Sequence, residues 1–91
     1  MARYRPHPNV AWRAVTGEMV LVHLTTNRIY ALNATSLRLW ELLQPGREQG
    51  ELVTLLTEEF DAADEDVAGQ VERILSELAA EHLIVRDDVT G

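Results

Sequence analysis

The hydrophobic pattern of this chain changes its period within a few residues. Residues 28–32 read RIYAL, an apolar run that favours a strand. A little further on, Leu37, Trp40 and Leu43 follow the three- to four-residue spacing of a helix. Only residues 33–35 separate the two patterns. The chain therefore passes from a strand into a helix here with almost no linker.

Strands are predicted before this junction and helices after it. The predicted strands are 10–15, 19–24 and 28–32, the predicted helices are 36–43, 48–60 and 64–81, and a short extended segment follows at 83–85. Short turns between the strands favour an antiparallel meander. Strands followed by helices are typical of an α+β domain. We therefore expect a three-stranded antiparallel sheet packed on a three-helix bundle that is like a winged helix-turn-helix.

The length of the chain, 91 residues, predicts a single domain. A polar N-terminus with Pro6 and Pro8 predicts an irregular arm over residues 1–9, and residues 87–91 are expected to form a C-terminal tail. The chain has no cysteine, and no apolar run approaches the roughly 18 residues of a membrane span. No apolar segment follows the N-terminal arginines, so the N-terminus does not read as a signal peptide. A cytoplasmic protein that does not bind membranes is the simplest expectation.

Charge is divided unevenly along the chain. Residues 1–47 hold six arginines and two acidic residues, whereas residues 48–91 hold two arginines and thirteen acidic residues. In a helix-turn-helix protein that binds DNA, the recognition helix lies in the major groove, among phosphates. The helix predicted at 64–81 has one arginine, Arg73, against six acidic residues, so phosphates would repel it. No nucleic-acid partner is therefore expected, although a winged-helix DNA-binding regulator stays as an alternative.

Residues that would support catalysis or bind a metal are not grouped in the sequence. His7, His23 and His82 are far apart and lack the spacing of metal ligands. The acidic residues fall in runs such as Glu58-Glu59, which suit solvated helix faces, and the chain has no glycine-rich phosphate loop and no nucleophile elbow. We therefore predict no catalytic residue, no metal site and no cofactor, and we expect that the protein is not an enzyme.

The strand at 28–32 is the best candidate for a binding surface. If the strands follow one another in space as in sequence, this strand lies at a sheet edge, with one charge and neither proline nor glycine. Ile29 and Ala31 then share one face, and Tyr30 and Leu32 the other. An extended peptide could add to such an edge. Two other occupants stay open, the N-terminal arm and a second copy of the chain, which would make it a self-associating structural module.

The string YALNATSLRLWELL, followed by GELVTLLTEEFDA and a helix that ends in LAAEHLIV, resembles the PqqD-like family. The resemblance covers residues 10–86, and its most specific part runs from the strand through Leu32-Asn33 to Trp40. Members of this family are small recognition elements that bind the leader segments of ribosomally made, modified peptides. The resemblance implies three strands packed on a winged-helix-like bundle, with one PqqD-like peptide-recognition domain over 10–86.

The resemblance also implies how a peptide would bind. The leader would add as a strand to the edge of the third strand and lie between that strand and the third helix. The strand residues implied to pair with the leader are Arg28, Ile29, Tyr30, Ala31 and Leu32. The helix residues implied to lie nearest the cleft are Val67, Gln70, Val71, Ile74 and Leu75. Arg28 and Arg73 are candidates to pair with acidic leader residues. Helical periodicity alone does not separate these helix positions from core positions.

Partners are likewise implied by the resemblance. Free-standing members work beside a radical enzyme in pyrroloquinoline quinone synthesis, or beside a leader peptidase and an ATP-dependent cyclase in lasso-peptide synthesis. The segment RIYALNATS is more similar to the lasso type. The implied role is to hold the precursor peptide and present it to the peptidase and the cyclase without doing chemistry. The resemblance does not indicate an oligomeric state.

Overall fold

A computed structural model of the protein describes residues 2–16, 18–61 and 63–88. The strands are β1 (Ala2–Pro6), β2 (Val10–Val15), β3 (Glu18–His23), β4 (Arg28–Leu32), β5 (Arg47–Glu48) and β6 (Ile84–Asp88). The helices are α1 (Ala34–Leu43), α2 (Gln49–Phe60) and α3 (Asp64–Ala80). The predicted α+β class and its three helices are confirmed, while the finer likeness to a winged helix-turn-helix stays a prediction. No helix in these ranges is long and apolar enough to cross a membrane.

The sheet predicted before the strand–helix junction is present as β2-β3-β4, an antiparallel meander in that order. In its register Leu21 of β3 lies opposite Trp12 on one side and Tyr30 on the other. Met19, Leu21 and His23 are buried on one face of β3. This face of the sheet therefore packs on the helices, and the alternation of buried and exposed residues fixes the register.

A second sheet, β5-β1-β6, has β1 at its centre, antiparallel to both neighbours. The prediction of an irregular arm over residues 1–9 is therefore wrong for Ala2–Pro6, and the prediction of a single sheet is wrong as well. Pro6 is tolerated because β5 pairs only with Arg3 and Tyr4, which leaves one side of β1 free at Pro6. Nothing local in the sequence signals this sheet, because β1 pairs with a strand at the far end of the chain.

The C-terminal segment is longer in the structure than the sequence predicts. The extended segment predicted at 83–85 belongs to β6, which reaches Asp88, so the prediction of a tail from residue 87 is wrong for residues 87 and 88. Arg5 of β1 donates from Nε to Oδ2 of Asp87 at 2.6 Å, which helps to hold the two strands together. Residues 89–91 lie outside the described residues.

The helix that follows β4 anchors the sheet to the core. Oδ1 of Asn33 accepts a hydrogen bond from the N–H of Ser36 at 2.9 Å and so caps the first turn of α1. Leu39, Trp40 and Leu43 of α1 have no exposed surface. Because only Asn33 separates β4 from α1, burial of this helix fixes the position of β4 as well.

Candidate functional site

β4 has an unpaired edge. It pairs with β3 from Arg28 to Leu32, and no strand in the described part of the chain lies on its other side. Adjacent residues of an antiparallel strand direct their N–H and C=O groups to opposite sides. Every second residue of β4 therefore has backbone groups that are free to pair with a further strand.

The two faces of β4 have different surroundings. Leu32 is buried and Tyr30 is half-buried, on the face that packs towards the helices. Ile29 is 70% exposed, and Ala31 beside it is also exposed. The side chains therefore alternate as the sequence predicts, and the inner pair faces the C-terminal end of α3.

A groove runs along one side of α3 and contains two cavities, one beside β4 and the other beside the start of α1 and the end of α2. The larger, of about 390 Å³, is lined by Tyr30, Ala31, Leu32, Glu77, Leu78, Ala80, Glu81 and Leu83. The smaller, of about 220 Å³, is lined by Thr35, Leu56, Phe60, Val67, Gln70, Val71 and Ile74. The α3 residues in the two sets recur every three or four positions, so both cavities lie along one side of this helix. Most of the lining is apolar, and polar groups contribute at a few points, as in typical binding sites.

Most of the predicted site residues lie along this groove. Of the strand residues, Tyr30, Ala31 and Leu32 line the larger cavity, while Arg28 and Ile29 continue the same strand edge. Val67, Gln70, Val71 and Ile74 line the smaller cavity. Leu75 is buried on another side of α3, where it lines a separate cavity with Tyr4, Gln49, Glu72, Ser76, Ala79 and Arg86. Arg73 is exposed and lines neither groove cavity. The structure therefore places three strand residues at one cavity and four of the helix positions at the next cavity along α3, and it sets Leu75 apart from both.

Sequence reasoning missed several residues of the groove. Leu78 and Glu81 continue the helical spacing of Val67, Val71 and Ile74, and extending that period by one more turn finds them. Thr35 and Phe60 come from other helices. No local signal finds these two, because only the packing of α1 and α2 beside α3 brings them to the groove.

Glu81 joins the end of α3 to β4 at one end of the groove. The hydroxyl of Tyr30 donates to Oε2 of Glu81 at 2.8 Å, and Nη1 of Arg28 donates to the same oxygen at 3.4 Å. Partial burial, together with the hydrogen bond to Glu81, raises the pKa of Tyr30 above its usual value. Arg28, a candidate to pair with a leader carboxylate, is already paired within the chain. Exposed ion pairs of this kind are weak, so an exchange of partners costs little.

A buried histidine holds this end of the groove in place. Nε2 of His23 lies 3.1 Å from the carbonyl oxygen of His82, and Nδ1 of His23 accepts a hydrogen bond from the N–H of Thr25 at 3.3 Å. The ring of His7 lies 5.0 Å from the ring of His23. Three histidines that are far apart in sequence therefore meet here, and they tie the β3–β4 hairpin to the residue after Glu81. The described residues contain no group of three or more His, Asp or Glu side chains that could hold a metal ion.

These features define a class of small α+β domain in which a free strand edge faces an apolar helix across a groove. A family model described as coenzyme PQQ synthesis protein D (PqqD) matches residues 18–84. The chain therefore belongs to the PqqD family. No significant match was found among curated protein sequences.

Two solved structures are similar to this chain over nearly its whole length. The structure of TbiB1 in complex with the TbiA(beta) leader peptide is 25% identical, with a TM-score of 0.83, over 96% of this chain and 99% of TbiB1. A lasso peptide synthetase B1 complexed with the leader peptide is 18% identical, with a TM-score of 0.80, over 90% of this chain and 96% of the synthetase chain. The second likeness concerns the fold alone.

Proposed function

We propose that this protein binds the leader region of a ribosomally synthesised precursor peptide by strand addition to β4. The observation that carries the proposal is a free strand edge beside an apolar groove, in a chain of the PqqD family. The structures of TbiB1 and of lasso peptide synthetase B1, both complexes with leader peptides, support it.

The groove has the parts that strand addition requires. The free N–H and C=O groups of β4 supply main-chain hydrogen bonds, which give affinity without regard to sequence. An added strand would direct alternate side chains towards the floor of the groove. Leu32, Leu78 and Leu83 in the larger cavity would contact one of these side chains, and Phe60 and Ile74 in the smaller cavity would contact another. Arg28–Leu32, Val67, Gln70, Val71 and Ile74 are thus the proposed binding residues, whereas Leu75 supports the core.

In this proposal the domain does no chemistry and needs no cofactor. Residues 10–86 form the recognition domain, to which β1 adds the second sheet. The bound precursor is presented to modifying enzymes, with a lasso-type leader peptidase and cyclase favoured over the enzymes of pyrroloquinoline quinone synthesis. Such a protein works in the cytoplasm, where precursor peptides are synthesised. The acidic character of α3, which has one arginine against six acidic residues over 64–81, disfavours DNA as a partner.

Amide hydrogen exchange, followed by NMR on the full chain, tests the proposal. The probe is a synthetic peptide with the leader sequence of the precursor encoded nearest to the gene of this protein. We expect saturating peptide to slow exchange at alternate residues of Arg28–Leu32, since only these have free N–H groups. Exchange at Val10–Val15, the opposite edge of the sheet, should not change. Protection of β2 instead of β4, or no protection at either edge, would contradict strand addition to β4.

Sedimentation of the same sample without peptide separates leader binding from self-association. A chain that uses the β4 edge to pair with itself would form a dimer and would already protect β4 before peptide is added. A monomer at high micromolar concentration with rapidly exchanging β4 amides is the expected result.

A further inference from the structure

Two oppositely charged side chains on α3 have no ionic partner in the part of the chain that the structure describes. Arg73 and Glu77 are both exposed, and neither takes part in the ion pairs that involve the other arginines, such as Arg38 with Glu59 and Arg28 with Glu81. They are four residues apart but do not pair with each other, and on a helix an arginine that precedes a glutamate is the weaker order for such a pair. Both side chains are therefore available to a ligand.

Glu77 is part of the groove wall, since it lines the larger cavity. The position of Arg73 follows from helix geometry, in which each residue turns the helix by about 100°. Arg73 is thus rotated by only about 40° from Glu77 and by about 20° from Ala80, and both of those residues line the cavity. Arg73 therefore stands on the outer rim of the groove, one turn before Glu77.

The other charges near the groove do not neutralise this pair. Glu81 is held by Arg28 and Tyr30 at one end. Asp66 is exposed near the start of α3, about 10 Å along the helix axis from Arg73. The smaller cavity has no charged residue in its lining. The middle of the groove rim thus presents one cation and one anion, about 6 Å apart along the helix.

We propose that Arg73 and Glu77 select leader peptides with an acidic and a basic residue two positions apart in the bound strand. This inference rests on the proposed function and names the class of leader that the groove prefers. In a strand, residues two positions apart lie on the same face and about 6.6 Å from each other. That spacing matches one turn of α3, so the leader's anion would lie beside Arg73 and its cation beside Glu77.

Arg73 and Glu77 are expected to change which leader peptide is preferred more than how tightly leader peptides bind. An exposed ion pair contributes little, and two such pairs would change the dissociation constant by about five-fold. The reversed order of charges would place like charges together and lose the same factor. Because the groups are exposed, the preference should disappear at about 1 M salt, where the screening length is about 3 Å.

Fluorescence anisotropy with charge-permuted peptides tests this inference. The reference probe is the labelled leader of the precursor encoded nearest to the gene, with its charged residues replaced by threonine. Asp-X-Arg and Arg-X-Asp pairs are then placed at successive positions along it. In one register we expect the full-length protein to bind one order about five-fold more tightly than the threonine reference and the other order about five-fold more weakly.

A variant with the two charges exchanged, Arg73→Glu with Glu77→Arg, keeps the net charge and should prefer the opposite order. The factor should be smaller than in the wild type, because a glutamate four residues before an arginine is the more favourable order for a pair within the helix. Glu72→Gln is the matched control, because Glu72 lies on the same helix but lines the cavity on its other side. This control should keep the wild-type preference. Circular dichroism verifies that each variant is folded.

The outcomes separate this inference from the proposed function. If the leaders bind but every order of charges binds equally, or if the exchanged variant keeps the wild-type preference, the charge selection is refuted and strand addition stands. If neither the unmodified leader nor any permuted peptide binds, the proposed function fails, and this inference fails with it.

Discussion

Among the described residues, neither outer edge of the sheet β2-β3-β4 is paired with another strand, and the two edges differ in what surrounds them. β4 faces α3 across a groove whose cavities are lined by residues from α1, α2 and α3 as well as from the strand. Residues 11–15 of β2 are all exposed, and Trp12 is 46% exposed. The cavity beside β2, of about 300 Å³, is lined by β2 and β3 alone. In the described part of the chain an unpaired backbone is thus common to both edges, whereas the cavity beside β4 includes helix residues and the one beside β2 does not.

The two edges therefore differ in what they could contribute to binding. Both offer backbone groups that give affinity, but only an edge with side-chain pockets gives specificity. Free backbone groups can pair with any extended chain, and side-chain pockets decide which chain is preferred. By this reasoning β2 is an edge at risk of unspecific pairing, and β4 is an edge suited to one kind of ligand. Substitutions placed in pairs, one at each edge, test the distinction.

The largest effect is expected from substitution of Trp40, because this side chain belongs to the core that supports both edges. Trp40→Ala should cost about 3–5 kcal/mol of unfolding free energy, because Trp40 has no exposed surface. Its indole N–H has no hydrogen-bond partner in the described structure, so Trp40→Phe, which deletes that buried donor, should cost much less. Trp12→Ala, at the exposed edge, should change the free energy by about 0.5 kcal/mol or less. Urea denaturation measures all three, and equal losses at Trp40 and Trp12 would contradict the assigned core.

Proline substitutions in β4 should have the next largest effect. Adjacent N–H groups of β4 point to opposite sides, so Ile29→Pro and Tyr30→Pro remove one free donor and one donor bonded to β3. The variant that loses the free donor should stay folded and bind leader about ten- to hundred-fold more weakly, since an unmade buried hydrogen bond costs about 1–3 kcal/mol. The other variant should lose stability. Anisotropy and circular dichroism distinguish the two results.

Proline at the opposite edge is the control for this experiment. Of the adjacent substitutions Ala11→Pro and Trp12→Pro, one removes a donor bonded to β3 and the other removes a free donor. Any variant of this pair that stays folded should bind leader with wild-type affinity, because β2 takes no part in the proposed site. Loss of binding in a folded β2 variant, with binding kept in both folded β4 variants, would reverse the roles assigned to the two edges.

A smaller effect is expected from single apolar side chains. Phe60 and Val15 are similarly exposed, at 49% and 51%, but only Phe60 lines a groove cavity. Phe60→Ala should weaken leader binding by about 1 kcal/mol, or roughly five-fold, because it removes apolar surface from one wall of the cavity. Val15→Ala should leave the affinity unchanged. Isothermal titration calorimetry would contradict the assignment if both variants bound alike.

The smallest effect concerns the link between β4 and α3. The pKa of Tyr30 is raised in the folded chain. The protonated hydroxyl therefore contributes to the free energy of unfolding, fully so below the usual pKa of 10.0. This contribution is lost as the pH rises through the raised pKa. Tyr30→Phe should therefore be less stable than the wild type at neutral pH, and the difference should shrink in alkali. Tyr4→Phe, in the other sheet, serves as a control. A stability difference for Tyr30→Phe that does not vary with pH would refute this role of the hydroxyl.

The sequence predicts the parts of this fold that depend on local pattern. The change of period near residue 33 correctly separates β4 from α1, and the helical repeats locate α2 and α3. Only knowledge of which distant segments meet could have predicted the second sheet, and Pro6 and Pro8 argued against a strand at the N-terminus. Local pattern therefore predicted the meander and the three helices, whereas β1, β5 and the sheet that they form with β6 were missed.

The candidate site was likewise predicted where it depends on local pattern and missed where it depends on contacts between distant segments. The RIYAL strand was identified from the sequence as an edge, since its neighbours are joined by short turns. On α3, the resemblance grouped Leu75 with Val71 and Ile74. Periodicity did not separate them, because it cannot tell which apolar side of a helix faces the sheet and which faces β1. The contact of Tyr30 with Glu81 depends on the close approach of elements 51 residues apart, which no spacing rule reports.

The pairing of β1 with β6 has a consequence for the order of folding. β6 directly follows the turn after α3, so the strand that holds the end of this helix depends on its pairing with β1, which lies far away in the sequence. Contacts between such distant residues form late, because the whole intervening loop must close first. During synthesis the meander and α1 emerge well before β6. The wall of the groove is therefore completed only after β6 has left the ribosome.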